Sequence, residues 1–171
     1  MKKLLLTLIV VAASAIGVSA QKFALVDMEY IMKNIPAYEM ANEQLNQLSQ
    51  RYQREIENVN NEASELYQRY LQDKVFLTPE QVKEREDEVV NKEKEATELR
   101  YKYFGPEGEL NQKRQTLLKP IQDDVYNAIK KVSEERGYQL IMDRASSNDI
   151  IFASPRIDIS NEILAKLGYS N

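Results

Sequence analysis

The chain has 171 residues, with 23 Lys and Arg against 27 Asp and Glu, no cysteine and no histidine, for a net charge of −4. Without thiols or imidazoles it has no disulfide scaffold, no thiolate or imidazole metal site, no cysteine nucleophile and no Ser/His/Asp arrangement. The acidic balance gives no electrostatic footprint for nucleic acid or for an anionic lipid surface.

In chain order, the first expected element is a leader. Lys2 and Lys3 precede an apolar run from Leu4 to about Gly17, and Val18-Ser19-Ala20 places small residues where a signal peptidase reads. Cleavage after Ala20 would make Gln21 the first residue of an exported protein. The apolar run is shorter than the roughly 18 residues that a membrane-spanning helix needs.

Phe23 to Val26 reads as a short strand, and a lone strand must find backbone partners elsewhere in its chain or in another copy. Asp27 is placed to end it and cap a short helix from Met28 to Lys33. Pro36 then launches a long helix to about Phe76, free of glycine and internal proline. Its apolar residues (Ala41, Leu45, Leu48, Tyr52, Ile56, Val59, Ala63, Tyr67 and Tyr70) recur at helical spacing. The pattern repeats after about eleven residues, which holds a stripe on one face of a nearly straight helix. Tyr52, Tyr67 and Tyr70 are expected to be buried on that stripe.

Thr78, Pro79 and Gln81 have the spacing of a capping box with proline at the first helical position. The second long helix starts there, with Val82, Val89, Ala96, Tyr103, Leu110 and Leu117 as its seam. Two long helices joined by so short a turn form an antiparallel hairpin over 37–116, its tip near 76–80, pairing position i with roughly 155 − i. At the tip, Phe76 and Leu77 either pack on Val82 or stay open. The stretch FGPEGEL, Phe104 to Leu110, should kink or loosen the returning helix, and Lys119-Pro120 should bend it again; each is a hinge or a steering kink.

After Gly137 the pattern becomes extended. Tyr138 to Asp143 and Ile150 to Ala153 read as two strands joined as a hairpin by RASSND. Asp143, Asn148 and Asp149 have a loose flavour of a cation loop, but the alternating ligands and glycine of an EF-hand are missing, and a turn is the reading adopted. Asp158 can cap a last helix that buries Ile159, Ile163, Leu164 and Leu167 and stops at Gly168. Residues 21–36 and 117–171 thus form a small β-sheet body. Three short strands make a marginal sheet with exposed edges. Joining copies into a shared β-barrel answers both problems, with Phe23, Leu25, Val26, Leu140, Ile141, Met142, Ile151 and Phe152 as the oligomerisation strands. The fold class is α+β: a small sheet body, completed as an oligomeric barrel, with a long helical hairpin.

The leader, the KFALVDMEYIMKNIP opening, the charged hairpin and the closing GYQLIMDRASSNDIIFASPRIDISNEILAKLG together resemble the Skp/OmpH family of periplasmic chaperones. The resemblance implies a homotrimer in the periplasm, three coiled-coil tentacles around a cavity, and ATP-independent holding of unfolded outer-membrane proteins, with no cofactor. One departure stands out: Tyr38 to Phe104 contains ten Lys and Arg but fifteen Asp and Glu. A basic client surface and lipopolysaccharide binding are therefore not carried over. The candidate client contacts are Tyr101, Phe76 and Leu77. The rival reading is an exported coiled-coil adaptor of the cell envelope. An enzyme is disfavoured, because the abundant carboxylates lie on helix faces with no pocket to raise one of their pKa values.

Overall fold

Strand β1 (Phe23–Val26) opens the computed structural model, which describes residues 22–147 and 149–169. The expected leader, residues 1–20, lies outside the described residues. The described chain divides into two compact units, a sheet unit of residues 22–31 with 127–169 and a hairpin unit of residues 32–126.

In the sheet unit, β1 is too short to stand alone and pairs in parallel with β2 (Leu140–Asp143), matching Phe23 to Leu140, Ala24 to Ile141, Leu25 to Met142 and Val26 to Asp143. A parallel pair demands a long crossover, which is why its partners sit so far apart in sequence. The other edge of β1 is covered by the segment before α5 (Ser160–Leu167): Leu25 bridges Asp158, and Ile159 N–H donates to the Leu25 carbonyl at 2.9 Å. Ala24, Leu25, Val26 and Ile31 share the interior with Ala128, Val132, Ile159, Ile163 and Leu164.

The expected strand from Ile150 to Ala153 is not formed. The run is irregular, and Ile151 and Phe152 are 100% and 85% exposed. The free edge of β2, where a hairpin partner would pair, carries no strand among the described residues, the second edge of β1 is taken by Asp158 and Ile159, and Pro155 two residues later carries no N–H for a ladder. So β2 is half of a parallel pair, not half of a strand hairpin.

Polar side chains tie this unit together. Asp27 Oδ1 accepts from Tyr30 N–H at 2.8 Å and caps α1 (Met28–Lys33) as expected, while Asp27 N–H donates to Ser160 Oγ at 2.8 Å. Arg144 reaches Asp27 at 3.1 Å and Asp158 at 3.2 Å, and its N–H donates to the Val26 carbonyl. Burial alone would raise the Asp143 carboxyl. Hydrogen bonds from the Ser146 side chain and from the backbone of Met28, Ala145 and Ser146 outweigh that and leave it below its ordinary value. Of the residues that suggested a cation loop, Asp143 instead accepts from the N–H groups of Met28 and Ala145, at the ends of β1 and β2, and Asn148 lies outside the described residues.

In the hairpin unit, α2 (Pro36–Asp73) follows an extended Ile35, with proline in its first turn. At about 1.5 Å per residue it is about 57 Å long. Ala41, Leu45, Tyr52, Ile56, Val59, Ala63 and Tyr70 are buried along its inner stripe, with Leu48 half-buried. Tyr67 departs from the expected burial, at 46% exposed. Tyr70 takes the seam at that level, its hydroxyl donating to Glu86 of the returning helix, and Tyr67 is left on the flank.

A 3-10 turn at Lys74–Phe76 ends the outward run, and α3 (Pro79–Phe104) begins with the full capping box: Thr78 Oγ1 accepts from Gln81 N–H while Gln81 Oε1 accepts from Thr78 N–H. Val89, Ala96 and Tyr103 are buried on its seam and Val82 is half-buried. The FGPEGEL stretch does more than loosen the helix: it separates α3 from α4 (Glu109–Arg136). A Cβ on Gly105 would stand 2.4 Å from the Tyr101 carbonyl oxygen, and one on Gly108 would stand 2.7 Å from that of Tyr103. Both positions require glycine because the chain folds back onto the last turn of α3. Pro120, by contrast, lies inside an unbroken α4. It removes one helical N–H but does not interrupt the element.

Candidate functional site

The long hairpin can act only through what it leaves uncovered, and its covered part fixes where that is. Tyr52 and Tyr103 stack with ring centroids 3.9 Å apart and planes within 3°, close to the expected pairing about the tip. Each hydroxyl is anchored across the stack: Tyr52 donates to Glu109 at 2.7 Å and Tyr103 to Glu55 at 2.8 Å. Phe104 meets the Tyr52 ring edge-on at 6.3 Å. Such aromatic pairs add about 1 kcal/mol beyond the area they bury.

The electrostatics follow from these contacts. Burial, then the hydrogen bond to Glu109, raise the Tyr52 phenol above its ordinary value. The hydrogen bond to Glu55, then burial, do the same for Tyr103. The Glu109 carboxyl, in solvent, is held below its ordinary value by the Tyr52 hydrogen bond and nearby Lys102. These phenols stay protonated and work as donors, not as acids. Towards the tip, Lys92 bridges Glu62 at 2.9 Å and Glu95 at 3.0 Å. Exposed pairs of this kind are screened by solvent and mainly keep the helix faces soluble.

Against that charged background a few apolar groups stand out. Tyr101 is 72% exposed, as expected of a contact residue outside the seam, and Phe76 is 84% exposed and so does not close the hairpin on Val82. Leu77 is half-buried. Val75, at 81%, and Val90, at 57%, join this set and were missed from sequence. Val75 had the signal of standing beside Phe76, and Val90 that of lying one step off the seven-residue seam. A shallow groove of about 440 Å³ opens on the same unit, lined by Gln53, Ile56, Glu57, Asn60, Arg100 and Phe104.

The sheet unit has its own uncovered surface. Leu25 and Val26 are buried, whereas Phe23 and Leu140 are about half exposed and Ile141 and Met142 are half-buried. Among the described residues, β2 has β1 on one edge and no strand on the other. Ile151 and Phe152 lie open in the same unit, lining a hollow of about 340 Å³ with Asp27 and Arg144. The expected oligomerisation residues thus fall into a buried pair, Leu25 and Val26, and a more open set made of Phe23, the β2 residues and the loop after them.

Among the described residues no helix is long and apolar enough to cross a membrane. The model of the family described as outer membrane protein (OmpH-like) matches residues 22–167. Among solved structures, the chain resembles a crystal structure of a candidate outer membrane chaperone (OmpH-like) from Caulobacter crescentus CB15, with a TM-score of 0.68 and 12% identity, over 88% of this chain and 86% of that one. At that identity the likeness speaks to the fold. No curated protein matches the chain significantly.

Proposed function

Since the chain belongs to the OmpH-like family, we propose that it is a chaperone of the periplasm, an ATP-independent holdase that shields unfolded outer-membrane proteins between helical hairpins. An unfolded barrel protein presents alternating apolar side chains and unpaired backbone groups, and its hazard is strand pairing with other copies of itself. A holder that releases without an energy source must grip through many weak contacts spread over a wide surface. The observation that carries the reading is the set of exposed apolar groups, among them Tyr101, Val75, Phe76, Val90, Leu71 and Met40, scattered over a hairpin whose surface is otherwise mostly polar and charged. Tyrosine suits the task, giving a large contact area at low rotamer cost.

Enclosing a client takes more than one hairpin, and the open edge of β2 supports a homo-oligomer, three subunits by resemblance. In this reading Phe23, Leu140, Ile141 and Met142 make the subunit contact through the sheet edge. Ile151 and Phe152 contribute apolar surface as an irregular segment, and Leu25 and Val26 support it from within. The acid excess of the hairpin keeps hairpins apart and repels lipopolysaccharide.

The test mixes the full mature protein with several unrelated denatured outer-membrane barrels and follows their aggregation by light scattering. Suppression of all of them at near-stoichiometric ratios is expected, with loss of that protection on Val75→Ser/Phe76→Ser/Tyr101→Ser. If every barrel aggregates unchanged while one native envelope protein co-purifies in fixed ratio, the adaptor reading replaces this one.

A further inference from the structure

The groove beside the Tyr52–Tyr103 stack is built differently from the rest of the hairpin surface. Its floor is apolar: Ile56, 7% exposed, and Phe104, 37% exposed. The floor is also fixed. Phe104 stands edge-on to Tyr52, Tyr52 stacks on Tyr103, and Glu109 and Glu55 hold the two hydroxyls. The required glycine at position 105 stops α3 directly after Phe104, so that ring sits at a helix end. A groove whose floor does not rearrange loses little on occupation.

Its rim is polar and unspent. Asn60 uses its amide N–H on the Ile56 carbonyl, which leaves its side-chain oxygen to accept. Gln53, Glu57 and Arg100 have no hydrogen-bond or ion-pair partner among the described residues. Donors (Arg100, Gln53) and acceptors (Glu57, Asn60, Gln53) therefore ring an apolar floor, and the guanidinium and carboxylate cancel in net charge.

We propose that this groove is a subsite for one aromatic residue of an extended, unpaired polypeptide: the ring lies on Ile56 and Phe104, a backbone carbonyl accepts from Arg100, and a backbone N–H donates to Glu57. The charge balance selects the occupant. A terminal carboxylate would gain Arg100 but meet Glu57, whereas a neutral peptide group, donor and acceptor together, satisfies both. The volume of about 440 Å³ takes one aromatic side chain with its flanking peptide groups. The assignment rests on the holdase reading and gives it a chemical preference: aromatic residues of segments not yet paired into strands.

The probe is an extended five-residue peptide, acetylated and amidated, with a central phenylalanine, titrated into the full mature protein and followed by NMR at the Ile56 methyl and the Gln53 and Asn60 side-chain amides. Saturable shifts are expected with a dissociation constant on the order of millimolar. Affinity should fall about tenfold with a central alanine, and severalfold in Arg100→Ala, whose melting temperature should be unchanged. Equal affinity for the phenylalanine and alanine peptides, or no effect of Arg100→Ala, overturns the subsite. Tighter binding of the free-acid peptide overturns the neutral-backbone assignment. Aggregation assays on the unsubstituted protein separate the two readings: protection of barrels with no saturable peptide binding sinks the subsite and leaves the holdase standing.

Discussion

The hairpin unit and the sheet unit solve the same problem, satisfying backbone groups while burying apolar side chains, in opposite ways. Along α2 and α3 each N–H finds its carbonyl four residues away, so side chains need only supply a seam, and that seam is read directly from spacing. Between β1 and β2 every ladder bond spans more than 110 residues, and the arrangement holds only because Arg144, Asp27, Asp158, Asp143 and Ser160 tie three chain segments together. The hairpin can lose a contact and remain a hairpin. The sheet unit stands or falls as a set, and among the described residues one edge of β2 carries no strand.

The sharpest break of that contrast is Leu25→Asp. Leu25 is 2% exposed at the centre of β1, and a charge there costs about 4 kcal/mol or more. Hydrogen exchange should show residues 22–31 and 127–169 unprotected and light scattering should show the proposed oligomer gone, while far-UV circular dichroism keeps most of the helical signal. Loss of hairpin protection as well would mean that the two units do not fold independently.

Next in size is Gly105→Ala. The new methyl would meet the Tyr101 carbonyl at far below contact distance, for a loss of about 2 kcal/mol by overpacking, seen as a lower melting temperature with the sheet unit still protected. No change in melting would mean that the break at 105–108 is a slack connection.

The two units should also fail at opposite ends of the pH scale. Asp143 is held below its ordinary value of 3.8, so its contribution is present above that value and lost as pH falls through the depressed one. Protection in the sheet unit should drop in acid, and Asp143→Asn, at a cost of about 2 kcal/mol, should flatten that response. Tyr52 and Tyr103 are raised above 10.0, so their contribution is complete below pH 10.0 and lost as pH rises through the raised values. Tyr103→Phe costs about 1 kcal/mol near neutrality and should blunt the alkaline loss in the hairpin. Glu109, also held below its ordinary value but exposed, adds only a weak, screened acid response of its own.

The smallest expected effect is Thr78→Ala, which removes half of the capping box for about 1 kcal/mol and should fray only the start of α3 in hydrogen exchange.

The comparison also explains where sequence reading succeeded. Thr78, Pro79 and Gln81 announced a helix start because a cap is a contact between residues three apart. The Tyr52–Tyr103 pairing followed once the tip was placed, because a rigid antiparallel pair has one register. Tyr67 was misread because neighbouring positions of one stripe compete for a seam wide enough for one ring, and Tyr70 won. Ile150 to Ala153 had the composition of a strand, yet composition is silent on whether a segment lies down along a free edge. The groove at Arg100 left no signal in the sequence, since an unpaired arginine looks like any other until its neighbours are placed.

By itself, then, the sequence determined the parts whose partners lie within a turn or are mirrored about a single tip: α2, α3, their capped connection, and the short helices α1 and α5 with Asp27 and Asp158 at their starts. The tertiary structure alone decided the parallel pairing of β1 with β2, the capture of β1's second edge by Asp158 and Ile159, and the complete stop after Phe104. Those outcomes depend on which of several chemically similar segments reaches a shared edge or closes over a backbone carbonyl, and such competition is settled by packing in space and not by the order of residues along the chain.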